Sequence, residues 1–428
     1  MENIESVLSS VDEVFEKEQK EQINKFKEKF KELNAENLKS TLGLTIKKDN
    51  ENKIITFLCQ LSSYTEDNQF NIIFNAPSSS GKSYIPTEIA KLFPSEDVME
   101  VAYCSPTAFF HDSGVYNEER KSIDMDLSKK ILIFLDQPHA QLLERLRPLL
   151  SHDKKEILVK ISDKTGKGGL KTRNIYIKGF PSVIFCSANT NIDEQESTRS
   201  ILLSPEINQE KLRESILEKI KYETNKDTYK DFINQNQERI LLKERILEIK
   251  KLNIKDIKIA DEELIIGLFF KGKKILKPRH QRDIARFISI IKSFALLNCF
   301  YREKSGDDII ASYDDIESAM NIWQVVSESQ EYNISPYLYG FYKEIILPLF
   351  LSKNKRGILR KEVLQKYFEV YEKNIPDWQL RQSILPALEN SGLIYQEQDE
   401  TNKRKILIYC SERENKEIID LSKNEITI

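Results

Sequence analysis

No run of apolar residues in this chain approaches the roughly 18 that a membrane-spanning helix requires, so a membrane partner is not expected. The opening MENIESVLSSVDEVFEKEQ lacks both the basic and the apolar region of a secretory signal. Five cysteines (Cys59, Cys104, Cys186, Cys299, Cys410) are scattered, and none is paired at metal-binding or redox spacing. Cys59, Cys104 and Cys186 sit in apolar surroundings and read as buried thiols of a reducing compartment. These absences predict a soluble, cytoplasmic protein. There is no excess of either charge: the net charge is −3, so contact with DNA must come from local patches rather than from a global field. No internal repeat and no low-complexity linker is found. What is present is enough for a real core, 428 residues of which 40% are hydrophobic, a length suggesting about two or three domains.

Patterning divides the chain into four parts. Residues 1–40 read as a charged helical segment. Val7, Val11 and Val14, then Ile23, Phe26, Phe30 and Leu33, recur at helical spacing, either packing on the chain's own domain or forming a short coiled coil with a partner. Over 41–205, short apolar strands (IIFNA, MEVAYC, ILIFL, SVIFCS) alternate with helical stretches, the signature of a parallel α/β sheet. Residues 206–330 are nearly all helical. Residues 335–428 read as helix, helix, β-hairpin.

The chemistry concentrates in two stretches of the α/β part. FNAPSSSGKSY follows the strand NIIF and precedes a helix, which is the context of a phosphate-binding loop. The loop is Ala76, Pro77, Ser78, Ser79, Ser80, Gly81, Lys82, Ser83 and Tyr84, with Ala76 in place of the usual first glycine. Gly81 lets the backbone wrap phosphate closely, Lys82 reaches the β- and γ-phosphates, and Ser83 holds Mg²⁺. About 50 residues on, ILIFL delivers Asp136, the carboxylate expected to partner Mg²⁺ together with Ser83. ATP and Mg²⁺ are therefore the predicted cofactors. The next residue is Gln137, an amide that can orient water but cannot accept its proton.

Between two strands, EILVKIS and TRNIYIKG, lies the Gly/Lys-rich turn DKTGKGGLK, predicting an inserted hairpin with Lys164, Lys167 and Lys171 at its tip and Arg173 close behind. A charge-dense tip suits contact with a phosphate backbone. The strand SVIFCSAN ends in Asn189, a polar group for the γ-phosphate water, and Arg199 in ESTRSILLSPE is placed to reach a neighbouring subunit's phosphate. In the last part, Asp377 is the predicted N-cap of WQLRQ, and Asn390–Ser391–Gly392 closes that helix.

The order of GKS, LDQ, hairpin, CSAN, TRS and a helical lid resembles the AAA+ ATPases. The hairpin before the asparagine strand is similar to the pre-sensor-1 hairpin helicase clade that contains the MCM proteins. KPRHQRDIARFISIIKSFALLNCF followed by IIASYDDIESAMNIW is similar to the MCM lid, which puts Arg279 on the sensor-2 arginine, with Arg286 seven residues later. The resemblance covers about 41–330 and implies an AAA+ P-loop NTPase core with a helical lid. It further implies a homo-oligomeric ring, commonly a hexamer, with ATP at subunit interfaces, Arg199 acting in trans and hairpins facing single-stranded DNA in a central channel. The large N-terminal domain of MCM, with its zinc and OB modules, is replaced by about 40 helical residues. The C-terminal unit resembles a winged helix-turn-helix domain, with Arg381 and Gln382 as readers and Lys403, Arg404 and Lys405 as a basic wing. Together these imply an ATP-dependent DNA helicase or translocase replicating a mobile or plasmid-like element, working with other replication proteins. The alternative is a replication initiator or DNA-loading switch that holds ATP with slow turnover. Winged helices also serve as plain protein–protein modules.

Overall fold

The computed structural model describes residues 24–105, 108–110, 114–163, 171–188, 194–252, 254–273 and 275–411, with the backbone alone at 162–163, 171 and 194–195. Of the N-terminal stripe, Val7, Val11, Val14 and Ile23 fall outside this range. The described remainder packs on its own chain: Phe26 and Phe30 lie 4.8 and 5.3 Å from Phe300, and the Asn298 side chain bonds both the N–H and the C=O of Leu33.

Helices α1 (Ala35–Gly43) and α2 (Asn50–Ser62) precede β1 (Asn71–Asn75), and α3 (Tyr84–Ala90) follows the phosphate loop. Then come β2 (Val98–Val101), β3 (Val115–Asn117), β4 (Ser122–Asp126), β5 (Ile131–Phe134) and α4 (Ala140–Leu150). The hairpin strands β6 (Glu156–Asp163) and β7 (Lys171–Lys178) lead to β8 (Ser182–Ser187), α5 (Glu194–Ser197) and β9 (Ser200–Leu203).

The central sheet has five strands in the order β2-β5-β8-β1-β9, every neighbouring pair parallel. Strands β1, β5, β8 and β9 are buried along their whole length, which is why they appear as unbroken apolar runs rather than alternating ones. Ile72 and Phe74 face one side, where α2 and α3 pack, and Ile73 faces the other with α4. Strand β9 was not legible in sequence; it is four residues long and closes the sheet beside β1.

The hairpin belongs to a second, four-stranded sheet in the order β3-β4-β7-β6, with β4 parallel to β7. Ile157, Val159, Ile161, Ile175 and Ile177 point inward onto the core beside the central sheet. Its base is thus anchored.

The helical part comprises α6 (Gln209–Thr224), α7 (Lys226–Gln235), α8 (Gln237–Leu252), β10 (Ile257–Ile259), α9 (Glu262–Phe270), α10 (His280–Leu297), β11 (Glu303–Ser305), β12 (Asp308–Ala311) and α11 (Tyr313–Glu331). Residues of α8 to α11 share one apolar cluster with α2 and the central sheet, so this part is built onto the core. Helices α6 and α7 stand apart, with a single buried residue each, Lys211 and Ile233.

The C-terminal unit has its own apolar cluster. Helix α12 (Pro336–Phe341) passes through a π turn (Tyr342–Ile346) into α13 (Leu347–Ser352). Strand β13 (Ile358–Leu359) and α14 (Arg360–Tyr371) follow. Helix α15 (Asp377–Gln379) passes through a second π turn (Leu380–Ile384) into α16 (Leu385–Asn390), and β14 (Ile394–Gln398) and β15 (Ile406–Cys410) form the closing hairpin. Each π turn directly precedes an X-Pro pair, Leu347–Pro348 or Leu385–Pro386. Proline has no N–H to give, and the wider turn absorbs the missing bond without ending the helix. Asp377 turns out to be the first helical residue rather than the cap, with Pro376 before it.

Candidate nucleotide site

The phosphate loop leaves the carboxyl end of β1, between β8 and β9, where ligands of open parallel sheets are held. Its turn needs two residues at positive φ, Ser79 at 63° and Gly81 at 96°. A Cβ on Gly81 would meet nothing within 4 Å, so conformation and not space demands glycine there. Lys82 Nζ donates to the Pro77 carbonyl at 3.0 Å, folding the side chain over its own loop. Ser83 immediately precedes the helix, and the Tyr84 hydroxyl donates to the Thr45 carbonyl at 2.9 Å.

Asp136 lies just past β5, two strands from β1, with β8 between. Burial pulls the Lys82 ammonium below its usual pKa, opposed by Cys186 and Asp136. Burial also pushes the Cys186 thiol up to about 12. The Asp136 carboxylate accepts the Gln137 N–H at 2.8 Å, and Ser187, at the end of β8, donates its hydroxyl to Gln137 Oε1 at 3.0 Å. Ser187 also accepts the Ala76 N–H at 3.4 Å, so one residue joins the start of the phosphate loop to the glutamine. Glu118 and Glu119 stand on the exposed turn between β3 and β4, on the second sheet rather than at the end of β5 or β8, and so cannot replace Gln137 as a base from this position.

Sequence inspection missed Lys211. Its ammonium donates to the Ser80 carbonyl of the loop at 3.3 Å and pairs with the Asp49 carboxylate. Asp49 and Glu206 accept each other's backbone N–H at 2.7 and 2.9 Å, tying the segment before α2 to the segment after β9. The only local signal was the Asn208 cap of α6, which accepts the Lys211 N–H at 2.8 Å; nothing in the sequence aims the ammonium at residue 80. Between the loop, Thr45–Lys47 and the inner side of α6 (Leu212, Ser215, Tyr222) lies a cavity of about 1190 Å³. It is large enough for a nucleotide.

The other predicted residues lie away from this cluster or outside the described residues. Arg279 is buried, and its three guanidinium nitrogens bond Asp283, Asn333 and Gln330. Gln330 in turn accepts the N–H and donates to the C=O of Leu202, so Arg279 clamps the helical part to the outer edge of β9. The physical reason is that Asp283 and Gln330 together satisfy the guanidinium inside the protein. Arg199 directly precedes β9, and Ser200 pairs with Asn71, so Arg199 lies at the amino end of the sheet, opposite the phosphate loop. Its Nε donates to Ser151 Oγ at 2.6 Å, and its side chain is 16% exposed. Asn189, Lys164 and Lys167 fall outside the described residues, as does the side chain of Lys171. Arg173 is exposed on β7, as are Arg381, Gln382, Lys403, Arg404 and Lys405 on the C-terminal unit. Among the described residues no group of side chains has the composition of a resident metal site, and no helix is long and apolar enough to cross a membrane.

No family model and no curated protein matches the chain. A solved structure of a proposed ATPase from Cytophaga hutchinsonii overlays 79% of this chain and 97% of its own at 14% identity with a TM-score of 0.36. So loose an overlay carries no weight for function. The fold itself is mixed α/β with a parallel central sheet.

Proposed function

We propose that the chain is an AAA+ ATPase that works on DNA, an MCM-like helicase or translocase serving a mobile or plasmid-like element. The observation that carries the nucleotide site is the phosphate loop at the carboxyl end of β1, with Ser79 and Gly81 at positive φ, Asp136 just past the end of β5 in the same sheet, and a cavity bounded by Pro77–Gly81. ATP would be gripped by the loop backbone and Lys82, and Mg²⁺ by Ser83 and Asp136; the ion would neutralise charge developing on the phosphates. Removing Lys82 removes one charge-assisted contact. Lys82→Ala is expected to weaken ATP binding by about 10- to 100-fold, measured by titration calorimetry. Unchanged affinity would sink the assignment.

The exposed Arg173 on β7, Arg381 and the wing of Lys403, Arg404 and Lys405 support the DNA reading, as does the lysine-rich sequence of the hairpin tip. The helix–helix–hairpin order of the C-terminal unit supports a winged helix. Lys167→Ala with Lys171→Ala is expected to flatten the salt dependence of single-strand binding, by about 0.7 in log–log slope for each lost phosphate contact. An unchanged slope would make the hairpin structural. Ring assembly is supported by half-exposed Ile216, Leu217 and Ile220 on α6, an apolar face beside the cavity.

A second reading, an initiator or loading switch with slow turnover, is favoured by Gln137. Its Oε1 accepts the Ser187 hydroxyl, which fixes an amide where a carboxylate base would act. Gln137→Glu keeps that acceptor and adds a proton acceptor. We expect it to raise ATP turnover above that of the wild type in a phosphate-release assay. Brisk wild-type hydrolysis that the substitution slows would place the base elsewhere.

A further inference from the structure

The cavity beside the phosphate loop has a wall that nucleotide binding alone does not call for. Tyr367, Val370 and Tyr371 of α14, with Lys373 beyond it and Glu344 in the first π turn, line the same space as Pro77–Gly81. This wall is braced within its own unit. The Tyr371 hydroxyl donates to Glu344 Oε2 at 2.6 Å, and the rings of Tyr367 and Tyr371 lie 4.8 Å apart.

An independent connection reaches the same unit through a single hydroxyl. Ser204, directly after β9, donates to the Asn75 carbonyl at 2.6 Å and accepts the Tyr337 N–H at 3.0 Å. Asn75 is the last residue of β1, after which the phosphate loop begins, and Tyr337 is in the first turn of α12. Both the loop's anchor and the cavity's far wall therefore bear on the C-terminal unit.

We propose that the C-terminal unit is a nucleotide-responsive wall. A nucleoside triphosphate in the cavity packs against α14 and fixes the unit's orientation, and with it the exposed Arg381 and Lys403–Lys405. This rests on the nucleotide reading of the loop. A ligand favours the arrangement to which it binds more tightly, and the coupling is reciprocal: a polyanion held by the C-terminal unit changes nucleotide affinity by the same factor.

The test is hydrogen exchange on the full chain with and without saturating Mg²⁺ and a hydrolysis-resistant ATP analogue, followed at 76–84, 336–346 and 360–373. Exchange at 360–373 is expected to slow by about tenfold or more, to the same extent at lower protein concentration. Ser204→Ala is expected to keep the protection at 76–84 while losing most of that at 336–346. Protection at 76–84 with none at 360–373 overturns the coupling and leaves the nucleotide site standing. Protection at 360–373 that fades on dilution while that at 76–84 persists also overturns it, because the contact then lies between protomers. Absence of analogue binding and of protection at 76–84 overturns both.

Discussion

Asp283→Ala is expected to destabilise the protein by about 3–5 kcal/mol, seen as a lower urea midpoint in far-UV circular dichroism. Asp283 is 4% exposed at its side chain and lies between two guanidinium groups, with Arg279 Nε at 3.1 Å and Arg286 Nη1 at 2.7 Å. Burial pulls Arg286 below its usual pKa, Asp283 opposes this, and Arg279 and Arg282 add to it. Deleting the carboxylate leaves two buried cations facing each other with no anion between them. The effect should spread beyond the pair. Arg279 orients Gln330, which bonds both backbone groups of Leu202, and Arg286 donates to the Thr198 carbonyl, so the same carboxylate holds the helical part to the free edge of β9. Asp283→Asn keeps an acceptor of the same shape and should cost less. A loss below about 1 kcal/mol for the alanine variant would show that the cluster is solvated or repacks freely.

What the sequence disclosed followed the range of the interactions. The phosphate loop was legible because its parts are consecutive residues, and β1, β5 and β8 because double-sided burial writes an apolar run into the chain. Strand β9 was hidden by its four-residue length within ESTRSILLSPE. Strands β3 and β4 were hidden because VYN and SIDMD carry few apolar residues; β4 is held by pairing with β7, about 50 residues away, and β3 by pairing with β4. The seven-residue spacing of Arg279 and Arg286 was visible, but not that Asp283 lies between them, nor that their partners include Gln330 and the Thr198 carbonyl. Lys211 was out of reach for the same reason, since Asp49, Ser80 and Glu206 come together only in the fold.

Arg199→Ala should leave ATP binding in place and cut turnover by about 10³-fold, as for arginines that act on a neighbour's transferring phosphate. The sheet supplies the reason to look in trans. Strand β9 runs parallel to β1 with Ser200 beside Asn71, so residue 199 lies at the amino end while the protomer's own loop begins at the carboxyl end. Within the protomer Arg199 is held by Ser151, with Glu196 3.9 Å away. A charge-assisted contact with phosphate would offset release from these partners. A structural role would also lower activity, so the variant is to be mixed with Lys82→Ala. Each inactive protomer then carries what its neighbour lacks, an intact loop in one and an intact Arg199 in the other. Mixing should restore part of the turnover only when the two residues serve one site from different protomers. Full activity of Arg199→Ala alone, or a mixture as inactive as its components, would confine Arg199 to bracing β9 against the end of α4.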